Sequence, residues 1–198
     1  MTLPRLYAIA DASFGDPVEL AARLFEGGAR LLQVRNKAAG AGEFLCQVES
    51  VLRHAPPDAR VLVNDRADIA LLARAHGVHL GQDDLPAVHA RSILGAGALI
   101  GVSTHNLEQA LAADLLEIDY IAAGPVFATS SKENPDPVLG VEGLRRICDA
   151  VRKPVVAIGG ITLARSAEVY AAGAASIAVI ADLLRAEDIC ARTRQWCT

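Results

Sequence analysis

Tyr120-Ile-Ala-Ala-Gly-Pro-Val-Phe-Ala-Thr-Ser-Ser-Lys-Glu-Asn-Pro-Asp-Pro-Val-Leu-Gly140 sets how the rest of the chain is read. It opens as a short apolar strand over residues 120–123 and breaks at Gly124-Pro125. It then runs through hydroxyls, one cation and two further prolines to Gly140. A connection of this length without periodicity, in a compact chain, is a mark of functional loops. Thr129, Ser130, Ser131 and Lys132 put three hydroxyls and an ammonium in four positions, a composition suited to phosphate oxygens. Alone, the stretch reads better as solvated surface. The balance changes because other apolar runs in the chain also end in polar sets.

Eight such runs occur, at residues 6–10, 29–34, 61–63, 78–80, 99–102, 120–123, 155–158 and 176–180. They are continuous rather than alternating, as expected of parallel strands buried on both faces. Helical signals lie between them. Asp16-Pro17-Val18-Glu19 supplies a cap, a first-turn proline and a capping-box acid, and Gly27-Gly28 closes that helix. Phe44, Val48, Val51, Leu52 and Ala55 share one helical face. Asn106-Leu-Glu-Gln109 caps another helix, in which Leu107, Leu111 and Leu115 recur at four-residue steps. Eight strand–helix units predict an α/β protein of the (β/α)8 TIM-barrel type, a single compact domain over residues 1–198, near the lower size limit of that fold. A doubly wound open sheet is the alternative. No G-x-G-x-x-G follows the first run, which weakens its dinucleotide-binding version.

With 52% hydrophobic residues the chain can build one core and bury roughly 70% of its unfolded surface. No apolar run approaches the roughly 20 residues of a membrane span. The N-terminus lacks the pattern of a secretory signal, so a cytoplasmic location is expected. A net charge of −4 and 4% aromatic residues argue against a nucleic-acid surface. Cys46, Cys148, Cys190 and Cys197 lack C-x-x-C spacing and read as reduced thiols.

In a barrel, reactive groups gather at the C-terminal strand ends. The second run ends Gln33-Val34-Arg35-Asn36-Lys37, and alternation puts Gln33, Arg35 and Lys37 on one face. A glutamine and two cations pointing into a lumen are not ordinary core. The third run ends Asn64-Asp65 and the fourth Gly81-Gln82-Asp83-Asp84. Singly, Asp65 and Asp84 are best explained as helix caps. Together, at adjacent strand ends beside cations, they suit a magnesium ion that bridges a polyphosphate. The fifth run ends Ser103-Thr104-His105, where His105 is either a proton carrier or a structural hydrogen-bonding group. Gly159-Gly160 after the seventh run and Ile180-Ala181-Asp182 after the eighth fit a backbone phosphate cradle. Two anion sites follow, one cationic and metal-assisted, one made of amides, with the loop over 124–140 between them and placed to close over both. The pattern points to an enzyme that joins or processes two phosphorylated small molecules.

Gln33-x-Arg35-x-Lys37, Val63-Asn64-Asp65, Gly81-Gln82-Asp83-Asp84, Gly101-Val102-Ser103-Thr104-His105, Gly124-Pro125-Val126-Phe127-x-Thr129-x-Ser131-Lys132 and Ile158-Gly159-Gly160-Ile161, in this order over nearly the whole chain, resemble the thiamine phosphate synthase family. The resemblance implies a barrel transferase of thiamine biosynthesis. It would couple hydroxymethylpyrimidine pyrophosphate to thiazole phosphate with loss of pyrophosphate, by a dissociative, Mg²⁺-assisted path. It implies Asp65 and Asp84 as metal ligands, and Arg35, Lys37, Asn64, Ser103 and Lys132 as pyrophosphate contacts. Of these, Arg35, Lys37, Ser103 and Lys132 would carry the catalysis. Gln33 would meet the pyrimidine, and Thr129, Ser131, Gly160, Ile180 and Ala181 the thiazole phosphate. Three positions depart from the family pattern: Asn36 stands for an acid, Ser131 for a threonine and Ala181 for a serine. The related thiazole tautomerases, which tend to lose the metal aspartates, and a non-catalytic precursor-binding regulator are the alternatives. Small-molecule substrates and a second copy of the chain are the expected partners, with nucleic acid and membrane excluded.

Overall fold

The computed structural model describes residues 2–129 and 137–198. Eight parallel strands close into a barrel in sequence order. They are β1 (Leu6–Asp11), β2 (Leu31–Arg35), β3 (Arg60–Asn64), β4 (Gly77–Leu80), β5 (Leu99–Thr104), β6 (Tyr120–Ala123), β7 (Val155–Ile158) and β8 (Ser176–Val179). Around them run α1 (Pro17–Glu26), α2 (Ala41–His54), α3 (Ala67–Leu72), α4 (Ala87–Leu94), α5 (Leu107–Asp114), α6 (Gly140–Ala150) and α7 (Ser166–Ala171). Two helices follow β8, α8 (Ala181–Leu184) and α9 (Ile189–Cys197). Pairing of β1 with β8, from Leu6 opposite Ile177 to Ala8 opposite Val179, closes the ring and excludes the open sheet.

Strand alternation divides the core in two. Outward residues such as Ala8, Leu32, Val34, Val63, Ile121 and Ala157 pack with helix residues Leu24, Phe44, Val48, Leu144 and Ile147. Inward residues Tyr7, Ile9, Leu31, Leu62, Leu99, Tyr120, Val156 and Ala178 form a separate cluster that fills the lumen. Both faces of every strand are therefore covered, which is why the strands read as unbroken apolar runs.

Local signals set the helix ends. Asp16 Oδ1 accepts from the Val18 N–H at 2.8 Å, with Pro17 at the first position of α1. Asn106 Oδ1 accepts from the Gln109 N–H at 2.9 Å and starts α5. The leucine stripe of α5 behaves otherwise than its spacing suggests. Leu107, Leu111 and Leu115 are exposed, Leu115 at 79%, while Ala110 and Ala113 face the barrel. Two methyl groups let the helix lie close to the sheet, and the larger side chains are turned to the outside.

Gly101 is fixed by the lumen. A Cβ there would stand 1.9 Å from Cζ of the Tyr120 ring, which occupies the space inside β5. Gly101→Ala should destabilise the fold by about 1–3 kcal/mol through overpacking, read as a lower urea midpoint at unchanged m-value.

Candidate active site

The C-terminal rim of β1 to β4 carries charge. Arg35 at the end of β2 forms an ion pair with Asp11 at the end of β1, and the strand register sets these two residues opposite each other. Asp11 is buried and also accepts from the Ser13 N–H and hydroxyl at 2.9 and 2.8 Å. This anchors Arg35 from one side. Two residues on, Lys37 Nζ lies 3.3 Å from Asp65 Oδ2. Asn36, between them, faces α2: its amide donates to Gln47 Oε1, and its Oδ1 accepts from the Ala38 and Ala39 N–H groups.

Asp65 adopts the left-handed conformation, φ 61°, which aspartate tolerates better than most residues. The turn is tight. The Asp65 N–H bonds the His79 carbonyl at 2.8 Å, and the Arg66 N–H bonds the Asn64 carbonyl at 2.7 Å. Neither Asp65 nor Asp84 caps a helix: α3 begins after Arg66 and α4 after Pro86, both without a side-chain cap. Asp84 instead accepts the Gly81 N–H at 2.6 Å and folds the loop after β4 back toward the rim. Its carboxyl is held above the ordinary carboxylate range by burial and by the neighbouring Asp65 carboxylate, with Gly81 N–H and Lys37 opposing. The carboxylates of β3 and β4 thus meet, and the cation of β2 stands beside them.

Below this rim the lumen is polar but neutral. Gln33 Nε2 donates to the Tyr7 hydroxyl at 2.8 Å, and that hydroxyl lies 3.1 Å from the Tyr120 hydroxyl. Tyr120 Oη is 2.9 Å from His79 Nδ1, and His79 Nε2 is 2.9 Å from Ser103 Oγ. The rings lock one another: Tyr7 meets Tyr120 edge-on, and His79 stacks on Tyr120 at 5.7 Å. Burial pushes the Tyr7 phenol up to about 12 and also raises that of Tyr120 well above its ordinary value, while it lowers His79 to about 4. All three are uncharged at neutral pH. Gln82 Nε2 donates to the Ser103 carbonyl at 2.5 Å, so the loop after β4 also holds the end of β5.

The β6–β8 side is built from backbone. Val126 and Phe127 N–H groups donate to Ile158 and Gly159 carbonyls at 2.8 and 2.9 Å, which fastens the start of the loop after β6 to the end of β7. A Cβ on Gly160 would come within 2.4 Å of the Ala128 carbonyl oxygen. Thr129 is half-buried at the edge of the described segment. Ile180 and Ala181 lie at the start of α8. The Asp182 carboxylate is drawn away by Arg192 at 2.8 and 3.0 Å and by the Trp196 indole at 2.8 Å. His105 is engaged structurally, with Nδ1 2.7 Å from the Gly124 carbonyl oxygen.

Gln33, Arg35, Lys37, Asn64, Asp65, Asp84 and Ser103 all belong to the rim or lumen of β2 to β5, whereas Gly160, Ile180 and Ala181 lie at the ends of β7 and β8. Ser131 and Lys132 fall outside the described residues. Sequence reasoning missed Asp11, Tyr7, His79 and Tyr120. The signal for them is parity: each is an even number of positions from another inward residue of its strand, or faces one across the register.

Because the folded-state pKa of Asp84 is raised, the native protein binds that proton more tightly than the unfolded chain does. The resulting penalty on stability is full above the raised pKa and vanishes as pH falls below the unfolded value near 3.8. In EDTA, Asp84→Asn should therefore be more stable than the parent at pH 7, by no more than about 1 kcal/mol given solvent screening. The difference should disappear on acid titration followed by thermal melts.

Comparison with known proteins adds a second line of observation. A family model described as thiamine monophosphate synthase matches residues 6–183. The chain is 50% identical over 191 residues to a thiamine-phosphate synthase of Koribacter versatilis, covering 93% of this chain and 90% of that one. It is 46% identical over 194 residues to one of Methanoregula boonei, covering 96% and 89%. The solved thiamine phosphate pyrophosphorylase of Pyrococcus furiosus superposes with a TM-score of 0.89 at 38% identity, covering 97% of this chain and 93% of that one.

Proposed function

This chain belongs to the thiamine monophosphate synthase family, and from that premise we propose how its barrel end carries out the synthase reaction. Hydroxymethylpyrimidine pyrophosphate binds with its ring at the mouth of the filled, neutral lumen and its pyrophosphate at the β1–β4 rim. Thiazole phosphate binds with its phosphate at the backbone-rich ends of β7 and β8. The carrying observation is the pairing of Asp65 with Asp84 beside Lys37, directly above a lumen in which every titratable group is neutral.

The carboxylate pair fits Mg²⁺. Among the described residues no group of three or more His, Cys, Asp or Glu side chains converges, so a full protein cage is absent there, whereas magnesium is held by one or two carboxylates with water and phosphate oxygens. When bound, the ion supplies positive charge to the pyrophosphate oxygens. Gln33 orients the pyrimidine. Arg35, Lys37, Asn64 and Ser103 direct N–H and O–H donors at the pyrophosphate. The methylene C–O bond breaks with its electron pair leaving on pyrophosphate, and the thiazole nitrogen donates the pair that forms the new C–N bond. No proton is removed to form that bond, in keeping with a lumen whose histidine and tyrosines hold fixed protonation states. Thr129, Ser131, Gly160, Ile180 and Ala181 hold the second phosphate; at Ala181 only the backbone amide is offered, so this contact does without a hydroxyl.

Incubation with both substrates and Mg²⁺ should yield thiamine phosphate and pyrophosphate in equal amounts by chromatography; the absence of both products would overturn the reading. Asp65→Ala and Asp84→Ala should each lower turnover by about a hundredfold or more while far-ultraviolet circular dichroism stays unchanged, on the scale of a lost charge-stabilising contact. Near-normal turnover of both variants in EDTA would remove the metal from the scheme. Lys132, assigned by family resemblance, is proposed to meet charge as it develops. Lys132→Ala should lower single-turnover kcat about tenfold or more for a lost contact of ~1.5–3 kcal/mol, with a smaller effect on KM.

A cytoplasmic location and a homodimer belong to the same proposal. Among the described residues no helix is long and apolar enough to cross a membrane. Supporting self-association, Leu71, Leu72, Leu85, Val88, Ile93, Leu107, Leu111, Leu115 and Leu116 are exposed on or beside α3, α4 and α5, three successive outer helices. Leu111→Glu should halve the mass measured by light scattering; an unchanged monomer mass in the parent would refute pairing.

A further inference from the structure

Gln33, Tyr7, Tyr120, His79 and Ser103 form one unbranched hydrogen-bonded chain across the barrel, from β2 through β1, β6 and β4 to β5. Four members are buried, and Ser103, at the end, is half-buried. Heavy-atom positions leave the direction of the three inner links open, since a phenol or an imidazole nitrogen can sit on either side of a bond. With the Gln33 amide nitrogen turned to Tyr7, as the structure has it, counting protons sets the direction.

Gln33 presents its amide nitrogen to Tyr7, so the Tyr7 oxygen already accepts one proton. If protons ran inward from Ser103, Tyr7 would accept a second one from Tyr120. Its own O–H would then have no acceptor in the chain, in a side chain that is 1% exposed. A sealed, unmatched donor costs about 1–3 kcal/mol. If they run outward, each group donates once: Tyr7 to Tyr120, Tyr120 to His79 Nδ1, and His79 Nε2–H to Ser103 Oγ. The Ser103 hydroxyl proton is then the only hydroxyl or imidazole proton left over, and it lies at the rim.

We propose that His79 is a positioning residue: as the Nε2–H tautomer it donates to Ser103 and so turns the Ser103 hydroxyl into a dedicated donor toward an anion at the β1–β5 rim. The relay converts a serine that could accept as readily as donate into one that only donates outward. Successive bonds of one polarity reinforce each other, so the Ser103 hydroxyl is more acidic as a donor than a free serine. Tyr7 and Tyr120 contribute by keeping Nδ1 an acceptor. The proposal rests on the reading of Ser103 as a pyrophosphate contact.

The test uses the full chain with Mg²⁺ and inorganic pyrophosphate as probe, which leaves the pyrimidine out of the measurement. Two-dimensional ¹⁵N–¹H NMR, with the His79 ring assigned by its through-space contacts to the stacked Tyr120 ring, should show Nε2 protonated and Nδ1 bare. A protonated Nδ1 overturns the relay direction whatever the mutants do. By calorimetry, His79→Met, which cannot donate, should weaken pyrophosphate binding about fivefold or more, on the scale of one hydrogen bond. His79→Gln, whose amide offers a donor and an acceptor, should recover most of that loss. In a Ser103→Ala background the two His79 variants should bind alike; a persisting difference means that the effect does not pass through Ser103 and sinks the proposal. If Ser103→Ala alone binds pyrophosphate as the parent does, the reading of Ser103 as a ligand contact fails, and the proposal with it. If Nδ1 is protonated while Ser103→Ala still weakens binding, the functional reading survives and only the relay falls. The tautomer measurement needs no substitution and decides the direction even where a variant does not fold.

Discussion

Closure of the sheet between β1 and β8 is the constraint from which the remaining features follow. A closed parallel ring leaves no free edge, so every strand has an inner and an outer face that must be filled. Strands of four to six residues give each strand only two or three inward positions. Along β2 these are Leu31, Gln33 and Arg35; along β5 they are Leu99, Gly101 and Ser103. In both, polarity rises from the N-terminal to the C-terminal end. The apolar floor supports the fold, and the polar rim has few places where a side chain can go, which is why the charged groups of neighbouring strands come within contact of one another.

Much of this was legible in the sequence because it is carried by local rules. Buried parallel strands read as unbroken apolar runs, and the runs at 120–123 and 155–158 coincide with β6 and β7 to the residue. Asp16 and Asn106 announce their helices because capping is a contact between neighbours in sequence. The polar residues after the runs stood out for the same reason. Tyr7, His79 and Tyr120 did not, since each lies within an apolar run and looks like core until the register sets it beside a partner up to 113 residues away. Asp11 was hidden likewise: only its position opposite Arg35 across β1 and β2 gives it a role. The α5 stripe misled because four-residue spacing tells which residues share a face, not which face the helix turns to the barrel.

The lumen and the rim solve opposite electrostatic problems with the same tool, depth. In the lumen, desolvation raises the two phenols and lowers the imidazole, so all three lose their charged forms. The groups stay polar without being ionic, and they can be hydrogen-bonded to completion; no buried side-chain nitrogen or oxygen among the described residues lacks a partner. At the rim, solvent reaches far enough for charge to persist. Two carboxylates are nevertheless close enough for one to lift the pKa of the other. Asp65 adds the cost of a left-handed backbone, the kind of local strain that a functional site retains.

The charge balance of that rim bears on what it can hold. Arg35 and Lys37 face Asp11, Asp65 and Asp84, two cations against three carboxylates. Arg35 is already paired with a buried Asp11, so toward a ligand it acts more through its remaining N–H donors than through net charge. Lys37, exposed and 3.3 Å from Asp65, is likewise partly neutralised. Such a rim does not attract a polyanion by itself; it attracts a cation first. A divalent ion placed on the Asp65–Asp84 pair would reverse the local sign, free Lys37 from its carboxylate and relieve the Asp65 repulsion that adds to burial in raising Asp84. The same five groups would then favour pyrophosphate. Under the proposed scheme, anion binding at this site would thereby be conditional on the metal, and the neutral lumen beneath it would contribute no charge of its own to hold a leaving group back.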